Sequence, residues 1–311
     1  MPLTAPELDR TGRAIHRAVI IGGAGFIGSS LSAALTSCHI DTACFTRRSP
    51  FLHQDELSYP LHTTRIVYYL ASSINPALGE AHPDWAAADL ALFGRLLRRL
   101  ARLAEPPAVV LTSSGGTVYD QAVPPPYAET DPVRATGRYG AAKLALEQEL
   151  FRHSDRVPGA ILRLSNVYGP GQRAVKGQGV LAHWLGAVLD DRPLRIVGDP
   201  AASRDYVHID DLVAAIHLLD RHIRTGGLAG RGEPLVLNIG SGRPTSLTEL
   251  VRVVRAATGR DVPVELLPAR RYDRQHVWLD VRAAAAVLGW RPVTGLAEGV
   301  AGMWRWLRAR P

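Results

Sequence analysis

Residues 18–28 read AVIIGGAGFIG, an apolar run followed by glycines at positions 22, 25 and 28. The apolar run predicts a buried strand, and the apolar residues after it recur at helical spacing. Glycines at such a junction let the backbone approach a pyrophosphate at the helix N-terminus. We therefore predict a dinucleotide site with contacts from Gly22, Gly25, Phe26, Ile27 and Gly28.

The rest of the N-terminal half alternates strand and helix patterns. Strands are predicted at 17–21, 40–46, 65–70, 107–113 and 159–164, and helices from 26, over 83–104 and from 137 to about 151. This alternation favours an α/β fold with a doubly wound parallel sheet. Beyond Tyr168 a glycine- and proline-rich break precedes short elements, which indicates a smaller second lobe.

One interval is too short for the full pattern. Only 19 residues lie between Thr46 and Ile66. A crossover helix, a strand and a return connection need more residues than that. We therefore expect a strand or helix on the adenine side of the sheet to be missing or reduced.

Composition limits the classes of function. The chain has 311 residues, 46% of them hydrophobic, and a net charge of +7. Its arginines are spread through helices instead of forming a basic tract, so we do not expect nucleic-acid binding. No stretch reaches the roughly 20 apolar residues that span a bilayer, and no membrane association is expected. Two cysteines, Cys38 and Cys44, are too few for a disulfide framework, which favours a reducing cytoplasm.

A second motif lies on the predicted helix at 137. Tyr139 and Lys143 are four residues apart and so share one helix face. The preceding buried strand ends in hydroxyl residues, among them Ser114 and Thr117. A phenol beside an ammonium group can move a proton near neutral pH, because the positive charge stabilises the phenolate. Together with a nicotinamide cofactor, this pair predicts a redox enzyme.

Further motifs carry a resemblance to a known family. They read RLSNVYGP at 163–170, RDYVHIDD at 204–211, NIGSG at 238–242 and LGWRP at 288–292. In this order, together with the two motifs above, they resemble the extended short-chain dehydrogenase/reductase family, in particular its nucleotide-sugar epimerases, dehydratases and 4-ketoreductases. The resemblance covers nearly the whole chain.

The resemblance implies both architecture and assembly. It implies a Rossmann-type domain over 1–172, to which 205–241 return, and a nucleotide-sugar-binding lobe over 173–204 and 242–311. A nucleotide diphosphate sugar is the implied substrate. Family members pair through the two long helices predicted at 83–104 and 137–153, which implies a homodimer.

The resemblance also assigns roles to residues. Tyr139 is the implied general acid/base, and Lys143 also bonds the nicotinamide ribose. Further cofactor contacts are predicted at Thr46, Arg47, Arg48, Leu70, Ala71 and Ser72. Substrate contacts are implied at Asn166, Gly179, Val180, Arg204, Tyr206, Arg270 and Asp273. The histidines show no metal-ligand spacing, and no metal is expected.

The chain departs from the family pattern at two points of the site. Gly115 stands where the family commonly carries the catalytic serine or threonine, so either Ser114 or Thr117 takes that role or the chain lacks it. Thr46 stands where members that prefer NAD carry an acidic residue, and Arg47 and Arg48 follow it. Two arginines without a carboxylate suit a 2′-phosphate, which favours NADP over NAD.

Three functions are compatible with these motifs. NADP favours net reduction, so the first hypothesis is an NADPH-dependent reduction of a nucleotide-linked 4-keto-6-deoxyhexose at C4, as in deoxysugar biosynthesis. The second is a nucleotide-sugar 4-epimerase, which retains its cofactor. The third is a dinucleotide-binding protein without catalytic activity, whose behaviour would not depend on Tyr139.

Overall fold

The computed structural model describes residues 17–135, 137–175, 177–269 and 274–309. The first part of the chain forms β1 (Arg17–Ile21), α1 (Phe26–Ser37), β2 (Asp41–Phe45), β3 (Leu52–His53), β4 (Glu56–Leu57), α2 (Pro60–Thr63), β5 (Ile66–Tyr69), α3 (Pro76–Ala81), α4 (Pro83–Leu100), β6 (Ala108–Ser114), α5 (Gly137–Arg152) and β7 (Gly159–Leu164). The second part forms β8 (Asn166–Tyr168), α6 (Val180–Leu189), β9 (Leu194–Val197), β10 (Ser203–Arg204), β11 (Tyr206–His208), α7 (Ile209–Arg224), β12 (Leu235–Ile239), β13 (Thr245–Ser246), α8 (Leu247–Thr258), β14 (Val264–Leu267), β15 (His276–Val277), α9 (Arg282–Leu288) and α10 (Leu296–Arg308).

A six-stranded sheet with strand order β12-β7-β6-β5-β1-β2 forms the centre of the molecule. All its strand pairs are parallel. The helices α1 and α7 pack on one face of the sheet, and α4 and α5 on the other. This arrangement confirms the predicted α/β class and doubly wound sheet. The direction of winding reverses between β1 and β5, where doubly wound sheets bind ligands at the carboxyl ends of their strands.

The adenine side of the sheet ends at β2. The interval before β5 contains only the β3–β4 hairpin and α2, which is a single turn. At the hairpin tip, Asp55 forms ion pairs with Arg95, at 2.9 Å, and with Arg99 on α4. These contacts dock the hairpin against α4. The predicted shortening of this side is confirmed.

The end of α4 differs from the prediction. The helix ends at Leu100 instead of reaching residue 104. Tight turns follow, in which the amides of Arg102 and Leu103 donate to the carbonyls of Arg99 and Leu100. These turns keep Leu103 packed against the core between the sheet and α4. The apolar spacing in the sequence therefore continues beyond the last residue of the helix.

A second core lies beside the sheet. It joins α6, α8 and α10 to β9, with large side chains such as Trp184, Met303 and Trp304 in its interior. The Trp184 indole donates to the Arg195 carbonyl at 3.0 Å, which ties α6 to β9. Within the described ranges, no helix is both long enough and apolar enough to cross a membrane.

Candidate active site

The glycine turn after β1 lies against the end of β5. Gly22 has a φ of +98°, and a Cβ built on it would lie 2.8 Å from the Ala71 amide nitrogen. On Gly28 a Cβ would collide with the carbonyl oxygen of Gly22 and lie 2.8 Å from the Gly23 Cα. Only glycine therefore fits at both positions. The result is a bare backbone cradle at the N-terminus of α1, where a dinucleotide pyrophosphate fits.

The predicted contacts Leu70, Ala71 and Ser72 border this cradle. The Leu70 amide donates to the Ile21 carbonyl at 2.9 Å, so the loop leaves β5 directly beside the glycine turn. Further along, Asp89 of α4 accepts from both the amide and the hydroxyl of Ser73, each at 2.7 Å. No motif in the sequence indicates that Asp89 holds this loop in place.

The loop after β2 presents two unpaired arginines. The Thr46 hydroxyl oxygen accepts from the Arg48 and Ser49 amides, at 3.2 and 3.3 Å, which closes a tight turn. Arg47 and Arg48 are both exposed. Neither guanidinium forms a hydrogen bond or ion pair with any part of the chain that the structure describes. Both are free to meet an anion.

Tyr139 and Lys143 lie on the first turns of α5. The Lys143 ammonium is buried, donates to the Thr112 carbonyl at 3.2 Å, and lies 5.8 Å from the centroid of the Tyr139 ring. Burial raises the pKa of Tyr139 to about 12 and lowers the pKa of Lys143 to about 8. Negative charge on Asp89 and Glu147 offsets part of the lowering at Lys143. Perturbed values of this kind are typical of acid/base sites.

A buried ion pair fixes α5 against the sheet. The Arg163 guanidinium on β7 donates to the Glu147 carboxylate, with a shortest distance of 2.7 Å. Both side chains are almost fully buried, so each charge depends on the other for compensation. The pair therefore sets the position of the helix that carries Tyr139 and Lys143.

Residues 114–119, called the hydroxyl loop below, lead out of β6 and reach the turn of α5 that carries Tyr139. The Ser114 side chain lowers the pKa of Tyr139 and so partly offsets the rise that burial causes. Thr117 lies against Gly140, and its buried hydroxyl has no partner among the described residues. A Cβ on Gly115 would lie 2.6 Å from a methyl of Leu279, so a hydroxyl residue at this position would have to displace the Leu279 side chain. Both candidate hydroxyl residues thus belong to the loop that reaches α5, and Ser114 acts on the pKa of Tyr139.

The predicted substrate residues lie at the boundary with the second core. Arg204 donates to the carbonyls of Ser203, Arg274 and Gln275 at 2.9, 2.6 and 3.2 Å. The side-chain amide of Asn166 donates to the main-chain carbonyl of Asp205 at 2.9 Å. Tyr206 is buried.

The glycine before α6 completes the described part of this set. Gly179 has a φ of +79° and leads into Val180, the first residue of the helix. The predicted contacts Arg270 and Asp273 lie outside the described residues.

Two further polar residues at this boundary belong to no predicted site. Asp205 is 1% exposed and accepts from the amides of Ser241, Gly242 and Leu279. Arg274 is 6% exposed and donates to the Tyr119 carbonyl at 2.6 Å. Asp205 lies within a motif that could have indicated it, whereas no sequence signal indicates Arg274. Among the residues described here, no group of histidine, cysteine or acidic side chains could hold a metal ion.

The glycine cradle at the N-terminus of α1 and the tyrosine–lysine pair on α5 together define a dinucleotide-dependent enzyme of the short-chain dehydrogenase/reductase type. Comparison with known proteins agrees. The profile of the NAD dependent epimerase/dehydratase family matches residues 18–240. The chain belongs to this family, whose members use NAD or NADP, and to its extended nucleotide-sugar group.

Similar proteins include both epimerases and a reductase. UDP-glucose 4-epimerase from Mycolicibacterium smegmatis is 33% identical over 92% of this chain and 96% of its own. The dTDP-4-dehydro-6-deoxyglucose reductase from Escherichia coli is 27% identical over 91% and 94%. Among solved structures, Thermus thermophilus UDP-glucose 4-epimerase in complex with NAD has a TM-score of 0.80 and 26% identity, covering 94% of this chain and 99% of that one.

Proposed function

We propose that the protein is an NADPH-dependent 4-ketoreductase, which reduces the C4 ketone of a nucleotide-linked 4-keto-6-deoxyhexose to an alcohol. The observation that carries this proposal is the pair of exposed, unpaired guanidiniums at Arg47 and Arg48, with no carboxylate beside Thr46. An adenosine ribose that carries a 2′-phosphate would be attracted there. In biosynthesis NADPH usually serves net reduction, whereas an epimerase gains nothing from consuming its cofactor.

The residues of α5 account for proton transfer. When bound, the reduced nicotinamide supplies the hydride that converts C4 from a ketone to an alkoxide. Tyr139 donates its phenolic proton to that oxygen, so the product is a neutral alcohol and the oxidised cofactor remains. The nearby charge of Lys143 stabilises the phenolate left behind, and a proton from solvent restores it. Ser114 or Thr117 donates a hydrogen bond to the same oxygen and polarises the ketone.

The proposed substrate site lies at the second core and at its boundary with the sheet. The proposed nucleotide-sugar-binding lobe comprises 173–204 and 242–311, and the proposed sheet domain covers 1–172 with the return at 205–241. Within 242–311, Ala284 of α9 and Trp290 pack in the core of the sheet. Contacts to the nucleotide diphosphate come from Asn166, Gly179, Val180, Arg204, Tyr206, Arg270 and Asp273. The E. coli relative, a reductase of a dTDP-linked 4-keto sugar, supports this substrate class. We also propose a homodimer that pairs through α4 and α5.

A 4-epimerase is the second candidate. The M. smegmatis relative has the higher identity of the two relatives above, and its name is that of an epimerase. The T. thermophilus epimerase was solved with NAD. An epimerase would need Tyr139 as both base and acid, and it would return the hydride to the opposite face of the same carbon.

Cofactor consumption separates the two candidates. Purified protein is mixed with a 4-keto-6-deoxy nucleotide sugar and with NADPH or NADH in parallel, and the reduced-nicotinamide absorbance is followed. The reductase predicts loss of one NADPH per sugar and much slower loss of NADH. No loss of either cofactor, with interconversion of C4 epimers of a nucleotide sugar seen by chromatography, would support the epimerase instead.

A further inference from the structure

Arg274 lies between the predicted diphosphate site and the hydroxyl loop. Its side chain is 6% exposed. One terminal nitrogen donates to the Tyr119 carbonyl at 2.6 Å and makes a longer hydrogen bond of 3.4 Å to the Thr117 carbonyl. Hydrogen bonds from a charged donor are stronger than those between neutral groups. Arg274 therefore holds the backbone on both sides of Val118.

Arg204 binds the main chain at Arg274 itself. Its guanidinium donates to the main-chain carbonyls of Arg274 and Gln275. The pairing of β10 with β15 and the contact between the Ser203 hydroxyl and His276 Nδ1, at 2.9 Å, fix the same segment. An anion that draws the Arg204 guanidinium away from these carbonyls, or tightens it against them, acts on the segment that carries Arg274.

The hydroxyl loop is held at its outer end by Tyr119 and packs against α5 at Thr117. The Tyr119 hydroxyl donates to Asn238 Oδ1 at 2.7 Å, and its ring stacks on Tyr127 at 5.0 Å between centroids. Thr117 lies against Gly140, one residue after Tyr139. The position of the Thr117 hydroxyl relative to Tyr139 thus depends on the carbonyls that Arg274 binds.

We propose that Arg274 is a positioning residue that couples diphosphate binding at Arg204 to the placement of Thr117 beside Tyr139. The proposal rests on the proposed function for its nucleotide-sugar substrate, but it concerns contacts within this chain. Arg274 acts through the Thr117 and Tyr119 carbonyls and not by contacting the substrate. Its loss therefore affects turnover more than the affinity for nucleoside diphosphate.

Hydrogen–deuterium exchange of the 115–119 amides tests this coupling without requiring turnover. We compare the wild type with Arg274→Met and with Arg274→Lys, which retains the charge and can reach one carbonyl. Arg282→Met is the matched control, because Arg282 is exposed and pairs with Asp280 on the same C-terminal segment. Exchange is measured with and without UDP and dTDP, and the affinity for each is measured by calorimetry.

The expected result is a loss of coupling in Arg274→Met. In the wild type and in the control, nucleoside diphosphate slows exchange at 115–119. In Arg274→Met exchange is faster by about 10-fold or more and no longer responds to the nucleotide, while the affinity changes by less than about 3-fold. Arg274→Lys lies between the two, and it carries the test if the methionine variant does not fold. If the 115–119 amides of both Arg274 variants exchange at the wild-type rate and respond to nucleotide as those of the wild type do, the proposal is overturned. A large loss of affinity with unchanged exchange would also overturn it, because Arg274 would then be a ligand-binding residue.

Steady-state kinetics provide a second, independent test of the proposal. Thr117→Val and the double variant Arg274→Met/Thr117→Val should have the same kcat, because Arg274 acts through Thr117. Multiplicative losses would contradict the proposal. If the wild type reduces no 4-keto sugar, the proposed function fails. The hydrogen–deuterium exchange experiment then still decides the role of Arg274.

Discussion

Gly28→Ala is the substitution whose effect on the cofactor site follows most directly from the geometry. The added methyl would collide with the Gly22 carbonyl oxygen and lie 2.8 Å from the Gly23 Cα. Carbon atoms in good contact lie at about 3.5–4.0 Å, so the start of α1 must move away by about 0.7 Å or more. Both obstructing groups are backbone, and no side chain can rotate to relieve the clash.

The displacement opens the cradle in which the pyrophosphate binds. Overpacking of this kind costs about 1–3 kcal/mol, and restoring the cradle on binding would raise the Kd for NADPH by about 5- to 160-fold. Fluorescence titration of NADPH measures the Kd, and circular dichroism checks that the variant is folded.

Gly186→Ala is the matched control for this substitution. It also lies in a helix, α6, but its added methyl meets nothing within 4 Å. Alanine is the better helix former, so this variant should bind NADPH as the wild type does and be slightly more stable. Wild-type NADPH affinity in Gly28→Ala would refute the assignment of this turn as the cofactor cradle.

Three further predictions concern the acid/base pair and the arginines. Tyr139→Phe removes the proton donor and should lower kcat by about 100-fold or more with NADPH affinity retained; the exposed Tyr59→Phe serves as control, and an active Tyr139→Phe would favour a binding protein without catalytic activity. Arg47→Ala/Arg48→Ala should raise the KM for NADPH by about 10-fold and leave that for NADH unchanged; equal effects on both would show that the arginines do not read the 2′-phosphate. Ketone reduction should slow as the pH rises through about 8, where Lys143 loses the charge that stabilises the Tyr139 phenolate; a pH–rate profile of kcat that stays flat through this range would contradict that role.

The sheet could be predicted from sequence because its signals are local. The apolar run at 18–21 and the glycines after it already require a strand, a tight turn and a helix. The shortened adenine side followed from counting residues between Thr46 and Ile66. The β3–β4 hairpin could not be predicted, because it is held by ion pairs from Asp55 to arginines about 40 positions away on α4.

The site was less accessible to sequence reasoning where it depends on distant contacts. Tyr139 and Lys143 share a helix face, so their proximity follows from spacing alone. The choice between Ser114 and Thr117 depends on the path of the loop around Gly115, and Leu279, far along the chain, occupies the space above that glycine. Arg274 belongs to no motif, and only the folded backbone brings it to the Thr117 and Tyr119 carbonyls.

The most direct test of net reduction is the fate of a labelled hydride. Protein is supplied with a 4-keto-6-deoxy nucleotide sugar and an excess of NADPH deuterated at the transferred position, and the product is analysed by mass spectrometry and NMR. The proposed 4-ketoreductase predicts one deuterium at C4 of the sugar for each NADPH oxidised. A sugar without deuterium and an undiminished cofactor pool, with C4 epimers of a nucleotide sugar interconverting in the same preparation, would contradict it.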